Sequence, residues 1–256
     1  MWGQFLPFSS PQTPILPEIV AQSSSIIVVM TATSPAPDQD LLTRVVSGLD
    51  FNDGQTVAMG PHHQGEVRLF ELNEPGLPER IIIKKATGKG WRRWASLRTL
   101  RHEHTAYQRL CGVVGIPPCL GFVSNAYLVL GYVSGRPIKP GERLPQKALE
   151  QLKVTISNMH EQGVAHGDLK RHANILLTEA DDLVVIDFGT AWLKKSGFHP
   201  LNHWVFKFLA QTDLNAWIKH KYLGYDGVDP IDQAILKRSG LERMLTYWRS
   251  RKRSKP

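Results

Sequence analysis

Residues 166–176 read His-Gly-Asp-Leu-Lys-Arg-His-Ala-Asn-Ile-Leu, and residues 186–189 read Ile-Asp-Phe-Gly. Upstream, apolar residues recur at spacings of three and four, which predicts an amphipathic helix within residues 144–162. Downstream, two short apolar runs bracket the pair Asp181-Asp182, which predicts a hairpin whose second strand ends at Asp187. A loop rich in acids, bases and an amide therefore lies between a helix and a hairpin.

These two segments resemble the catalytic loop and the metal-binding loop of protein kinases. Phosphoryl transfer depends on positioning and on charge neutralisation more than on covalent chemistry. The resemblance implies that Asp168 accepts or orients an acceptor hydroxyl, that Lys170 holds the transferring phosphate, and that His166 belongs to the catalytic set. It also implies that Asn174 and Asp187 bind Mg²⁺.

The loop departs from the kinase pattern in length. Five residues separate Asp168 from Asn174 where kinases have four, so a bulge must deliver Asn174, and His172 is an alternative ligand. Gly167 replaces the usual Arg, and no Ala-Pro-Glu motif follows. Activation-loop phosphorylation is therefore not expected. Because only residues 190–256 remain after the second segment, we also expect a minimal carboxy-terminal lobe.

The segment Ile81-Ile-Ile-Lys84 resembles the kinase strand whose Lys binds ATP phosphates and pairs with a Glu on the next helix. Glu103 is the candidate partner, in a segment otherwise rich in bases. Lys85 is the alternative to Lys84. Side chains alternate across a strand, so only one of the two can face a cleft, and the family pattern favours Lys84.

Residues 60–67 align with the glycine-rich loop of kinases. Gly60, Gly65 and Val67 keep the register of that loop, whereas His62 replaces its middle glycine. A phosphate-covering hairpin with a looser approach is therefore expected, although an ordinary hairpin turn would read the same way.

Residues 127–135 resemble the strand and hinge that hold adenine through backbone groups. Leu130 and Tyr132 are the candidate adenine contacts, and Gly131 stands where kinases usually carry an acid.

The resemblance spans about residues 57–192 and implies an α+β, bilobal protein-kinase-like fold, with an antiparallel sheet plus a helix followed by a mainly helical lobe. Strands are predicted at 56–59, 66–72, 80–85 and 126–133, a helix around 97–110, and helices after residue 198. The expected domains are a Pro-rich disordered extension at 1–40, lobes at 41–133 and 134–248, and a basic tail at 249–256.

The compact lobe is similar to atypical kinases: the RIO type, the small kinase associated with tRNA threonylcarbamoyl modification, and bacterial lipopolysaccharide core kinases. The expected activity is transfer of the ATP γ-phosphate to a hydroxyl of a protein Ser/Thr or an envelope glycolipid, with ATP and Mg²⁺ as cofactors. Three alternatives remain open: a nucleotide-binding pseudokinase, a partner-activated ATPase, and a small-molecule kinase of the aminoglycoside or choline type.

The overall composition limits the expected partners and cellular location of the protein. The net charge of +8 lies in clusters that suit anionic partners, including a membrane surface, and no motif indicates a specific nucleic acid. Two cysteines, Cys111 and Cys119, exclude a disulfide framework. No apolar run could span a bilayer, and residues 1–43 lack the basic residues of a secretory signal. We expect a cytoplasmic protein, with peripheral placement at the inner membrane face.

Overall fold

The computed structural model describes residues 37–57 and 65–237. Its first part is a five-stranded antiparallel sheet of order β1-β2-β3-β5-β4. The strands are β1 Gln55–Thr56, β2 Gly65–Glu71, β3 Arg80–Ala86, β4 Cys119–Val123 and β5 Tyr127–Gly131. Two helices accompany them, α1 Gln39–Gly48 and α2 Trp91–Arg109.

The two faces of this sheet pack against different helices. Ile81, Ile83 and Val129 form an apolar cluster with Leu42 and Val46 of α1. The strand register places Val67, Lys84 and Leu128 opposite one another on the other face. Leu128 there joins a cluster with residues of α2 and of the following helices. The alternation of β3 thus directs its lysine toward α2.

The second part is mainly helical. Its elements are β6 Arg136–Pro137, α3 Gln146–Glu161, β7 Val164–Ala165, β8 Ile175–Leu177, β9 Leu183–Val185, β10 Trp192–Leu193, α4 Pro200–Tyr222 and α5 Pro230–Ile235. Short sheets β6-β8-β9 and β10-β7 support the loops between the helices. The buried face of α3, which includes Leu152, Ile156 and Met159, packs in the same core as Ala216 and Trp217 of α4.

The predicted fold class is confirmed by the antiparallel sheet with its helix and by the helical second part. Several boundaries were wrong. The helix predicted at 97–110 begins six residues earlier, at Trp91, and strand β4 was not predicted. The second strand of the hairpin ends at Val185, because Asp187 leaves the extended conformation for a left-handed one, with φ 68°.

The amino-terminal predictions are only partly covered. Helix α1 begins at Gln39, so the last two residues of the predicted disordered extension are helical. The rest of that extension to residue 36, Gly60, His62, and the basic tail at 249–256 lie outside the described residues. Among the residues that the structure describes, no helix has the length and apolar character needed to cross a bilayer.

Candidate active site

A buried ion cluster connects the sheet, α2 and the end of the hairpin. The Nζ atom of Lys84 lies 2.5 Å from Oε1 of Glu103 and 3.5 Å from Oδ1 of Asp187. The Lys84 and Glu103 side chains are only 7% and 3% exposed. Burial acts to lower the pKa of Lys84, but the two carboxylates outweigh it and raise that pKa, so the ammonium form is held at neutral pH.

The neighbouring lysine is directed elsewhere. Lys85 is half-buried and its Nζ atom lies 4.7 Å from the centre of the Phe51 ring, on the α1 side of the sheet. The structure therefore brings Lys84, and not Lys85, to Glu103.

The loop after β7 carries Asp168, whose side chain is partly exposed while its backbone is held by hydrogen bonds. The Asp168 side chain is 41% exposed, and its Oδ2 atom lies 3.7 Å from the Arg171 guanidinium and accepts from Asn174 Nδ2 at 3.4 Å. Lys170, two residues further on, is partly exposed on the same loop. This loop can therefore offer a carboxylate and an ammonium group to an acceptor.

His166 is placed differently from the sequence-based expectation. The ring is fully buried, its Nε2 lies 3.0 Å from the Ile186 carbonyl oxygen, and the Asp168 backbone N–H donates to its Nδ1 at 3.3 Å. A carbonyl can only accept and an N–H can only donate, so the ring is the neutral Nε2–H tautomer. The predicted catalytic role is corrected to a positioning role, because both ring nitrogens hold backbone and neither reaches the loop surface.

The inserted loop residue is absorbed by consecutive tight turns. The Arg171 N–H donates to the Asp168 carbonyl at 3.2 Å, the Asn174 N–H donates to the Arg171 carbonyl at 3.0 Å, and residues His172–Asn174 form a 3-10 turn. Asn174 Nδ2 then donates back to the Asp168 carbonyl at 3.1 Å. Asn174 therefore lies beside Asp168 despite the longer spacing.

Asn174 supports the presence of a cation site. Its side-chain Oδ1 atom is buried and has no hydrogen-bond partner among the described residues. A buried acceptor without a partner is costly, and an amide oxygen is a suitable Mg²⁺ ligand. Mg²⁺ commonly takes only one or two protein carboxylates and completes its shell with phosphate oxygens and water. Asp187 and Asn174 fit that donor set, and within residues 37–57 and 65–237 no group of three His, Cys, Asp or Glu residues forms an all-protein site.

Asp187 is fixed by the residue that follows it. Phe188 is fully buried, with its ring centre 5.0 Å from that of Tyr107 on α2 and 4.9 Å from that of His166. The anchored ring and the left-handed backbone of Asp187 direct the carboxylate back toward Lys84. Through these contacts the segment 186–189 connects Lys84 on the first sheet with the loop that carries Asp168.

The two candidate adenine contacts, Leu130 and Tyr132, have different surroundings. Leu130 is buried on the face of the sheet that carries Lys84. The Tyr132 N–H donates to the Arg80 carbonyl at 3.2 Å and its ring lies under the Arg80 guanidinium, so this N–H is already used and the adenine contact of Tyr132 stays a prediction. Position 131 requires glycine, because the Cβ atom of any other residue would lie 2.6 Å from the Pro118 side chain.

The glycine-rich segment is described only from Gly65 onward. Val67 is buried directly opposite Lys84. The His172 ring stands edge-on to the ring of His220, with 5.3 Å between the ring centres, and the alternative of a His172 ligand stays a prediction.

Asp213 is a functional residue that the sequence did not predict. This carboxylate on α4 is fully buried, and it accepts the His166 and Gly167 backbone N–H groups at 2.8 Å each and contacts His160 Nε2 at 3.1 Å. The available signal was that Asp213 is the single acid in α4. Asp213 holds the start of the Asp168 loop against α3 and α4.

Comparison with known proteins agrees with this geometry. Residues 131–202 match the lipopolysaccharide kinase (Kdo/WaaP) family, a segment that contains Asp168, Asn174 and Asp187. The chain is thus similar to kinases in sequence, in keeping with its protein-kinase-like fold. This kinase-like chain is also 28% identical, over 54% of its length, to CBL-interacting protein kinase 21 of Oryza sativa subsp. japonica, covering 28% of that protein.

Two further relatives are Ser/Thr protein kinases. CBL-interacting serine/threonine-protein kinase 20 of Arabidopsis thaliana is 32% identical over 39% of this chain and 22% of its own length. Serine/threonine-protein kinase US3 of Human herpesvirus 1 (strain 17) is 29% identical over 59% of this chain and 30% of its own length. The kinase-like chain thus spans less than a third of the curated relatives that it matches.

Proposed function

We propose that the chain is an ATP-dependent phosphotransferase that moves the γ-phosphate of ATP to a hydroxyl. The observation that carries this proposal is the buried contact of Lys84 with Glu103 and Asp187, which lie far apart in the sequence. The loop that follows β7 adds the partly exposed carboxylate of Asp168. Such a set supplies a fixed cation for phosphate oxygens and a partly exposed carboxylate for the acceptor. The proposed lobes stay at 41–133 and 134–248, of which the second is described to residue 237.

In the proposed reaction Lys84 binds phosphate oxygens of ATP while Glu103 holds its ammonium group in place. Asp187 and Asn174 would hold Mg²⁺, which when bound neutralises phosphate charge. Asp168 accepts the proton of the acceptor hydroxyl as its oxygen forms the new bond to the γ-phosphorus. The bond from that phosphorus to the β-phosphate bridging oxygen breaks, and ADP leaves.

The acceptor is proposed at the level of chemical class. The family match over residues 131–202 favours a sugar hydroxyl of an envelope glycolipid, and the matched Ser/Thr kinases favour a protein hydroxyl. Labelled ATP offered with isolated envelope glycolipid in one reaction and with a cell protein extract in another separates the two acceptors by where the label appears.

The function is tested by nucleotide binding. MgATP at 100 times its Kd should stabilise the wild-type protein by about 2.7 kcal/mol, and Lys84→Met should lose this stabilisation because the phosphate cation is gone. The ligand-induced shift is compared rather than the melting temperature itself, since Lys84→Met also leaves Glu103 buried without its cation. Lys85→Met is the matched control, because Lys85 faces Phe51. Equal stabilisation of the Lys84→Met and wild-type proteins, or none of the wild type, contradicts the proposal.

We also propose that the kinase acts at an anionic membrane surface through the exposed face of α2. Trp91, Trp94, Arg98 and Arg101 follow one another at spacings of three and four and are all exposed, the two Trp side chains by 75% and 63%. Buried Leu100 lies on the opposite side of the helix. Basic side chains next to Trp suit the boundary between lipid headgroups and acyl chains.

Binding to vesicles tests this surface. A basic residue near an anionic bilayer contributes about 1 kcal/mol, so the double variant Arg98→Gln/Arg101→Gln should bind phosphatidylglycerol vesicles about 30-fold more weakly than wild type. Trp204→Ala, which removes an exposed Trp of α4, serves as the control and should bind normally. Equal binding to phosphatidylcholine vesicles, or preferential binding of RNA, would contradict a role for anionic lipid.

A further inference from the structure

The backbone around Asp168 is held from α4 at two places. Before Asp168, the His166 and Gly167 N–H groups donate to the Asp213 carboxylate at 2.8 Å each. After Asp168, the Nε2 atom of His220 lies 2.8 Å from the carbonyl oxygen of Leu169. Asp168 therefore lies between two anchors, and the proposed reaction gives the second anchor, His220, no role.

Both anchors lie on the buried face of one helix. Asp213, Trp217 and His220 are buried and follow one another along α4 at spacings of four and three, so they face the same way. The seven residues from Asp213 to His220 correspond to about 10.5 Å along the helix axis. The three residues from Gly167 to Leu169 can span up to about 11 Å. The helix thus offers two fixed points at a spacing that this piece of the loop can bridge.

His220 is a hydrogen-bond donor that water cannot easily replace. A carbonyl oxygen can only accept, so the proton of this bond is on Nε2 of the ring. His220 is 5% exposed and Leu169 is 1% exposed. Without His220 the Leu169 carbonyl would lose this donor in a buried position, where an unpaired acceptor is unfavourable. The loop is therefore expected to shift if the donor is removed.

The His220 ring is also uncharged at neutral pH. Burial lowers the pKa of His220 to about 4. A cation close to a carboxylate stabilises its ionised form and weakens it as a proton acceptor. A neutral imidazole holds the backbone next to Asp168 without adding such a charge. This donor therefore suits a loop whose carboxylate must accept a proton.

We propose that His220 is a positioning residue for phosphotransfer, which acts through the Leu169 carbonyl to hold Asp168 within reach of the acceptor hydroxyl. The assignment rests on the proposed phosphotransferase function. A reacting group displaced by about 1 Å can lose about 10²-fold in rate. Because the anchor at Asp213 remains, loss of the His220 anchor should cost less, about 10-fold in turnover.

Three substitutions at one position test the hydrogen bond. His220→Leu removes the donor and should lower turnover of the folded protein about 10-fold, with MgATP stabilisation and the KM for ATP unchanged. His220→Gln places an amide N–H near the position of Nε2 and should recover most of the turnover. His220→Asn carries the same amide on a shorter side chain, which cannot reach Leu169, and should resemble His220→Leu. Where His220→Leu does not fold, the comparison of His220→Gln with His220→Asn decides.

Trp217→Phe is the matched control. The Trp217 Nε1–H donates to the Leu149 carbonyl of α3 at 2.7 Å, so this variant also removes a buried donor of α4 from a backbone carbonyl, but away from Asp168. It should lose stability and keep its turnover. Hydrogen exchange of peptides covering residues 166–174 provides a second readout, and it should become faster in His220→Leu and stay unchanged in Trp217→Phe.

Wild-type turnover of His220→Leu or His220→Asn, no recovery in His220→Gln, or an equal loss of turnover in Trp217→Phe overturns the positioning role. Phosphotransfer by the wild-type protein is measured alongside. If the wild type transfers phosphate while His220→Leu changes neither turnover nor exchange, the positioning role fails and the phosphotransferase stands. If the wild type transfers no phosphate although exchange of the loop becomes faster in His220→Leu, the proposed function fails and the positioning role falls with it.

Discussion

Asp168→Asn is expected to lower phosphotransfer about 10²- to 10⁴-fold, because a positioned general base contributes that much to a proton transfer. The Asp168 side chain is 41% exposed, and Asn has nearly the same size, so the loop should keep its shape. Asn174 Nδ2 retains its bond to the Asp168 backbone carbonyl, which the substitution does not touch. The loss should therefore appear in turnover and not in MgATP binding, as measured by label transfer and by thermal stabilisation.

Asp182→Asn provides the control for this result. Asp182 is a surface acid of similar side-chain exposure, 37%, and it pairs with Lys147 at 3.5 Å on the hairpin between β8 and β9. It should retain full turnover. If Asp168→Asn transferred phosphate at the wild-type rate, or if both variants lost activity equally, Asp168 could not be the base.

The sequence was sufficient to predict those features that depend on a single local periodicity. Alternation along β3 required that Lys84 and Lys85 face opposite ways, and the structure shows Lys84 at Glu103 and Lys85 at Phe51. The helix over 146–161 likewise followed from the spacing of its buried apolar residues. Local pattern fixes which face a side chain takes, so these positions could be predicted without tertiary information.

The sequence was insufficient where tertiary contacts decide. The motif placed His166 among the catalytic residues, but its ring is buried by Phe188 and bonded to backbone. Tyr132 has a backbone donor that the sheet already uses. The position of Asn174 beside Asp168 depends on successive tight turns in the longer loop, and no local sequence preference predicted these turns. Asp213 depended on a contact 47 residues distant in the chain.

Asp213 holds the start of the loop that carries Asp168. Its two carboxylate oxygens accept the His166 and Gly167 backbone N–H groups at 2.8 Å each, and His160 lies 3.1 Å from Oδ2. Water cannot replace the carboxylate easily, since the side chain is fully buried. A backbone N–H left buried without an acceptor costs about 1–3 kcal/mol.

Asp213→Ala should therefore lower the free energy of unfolding by about 3–5 kcal/mol, measured by urea titration, because it leaves two buried donors unsatisfied. The matched control is Asp232→Ala, which removes a nearly buried acid bonded to Lys221 and Tyr222, away from the Asp168 loop. Both variants should lose stability, but only Asp213→Ala should also lose turnover under conditions where it remains folded, since only this variant frees the backbone next to Asp168. Full turnover in folded Asp213→Ala would show that the loop is held in place by its other contacts, such as the His220 bond to Leu169.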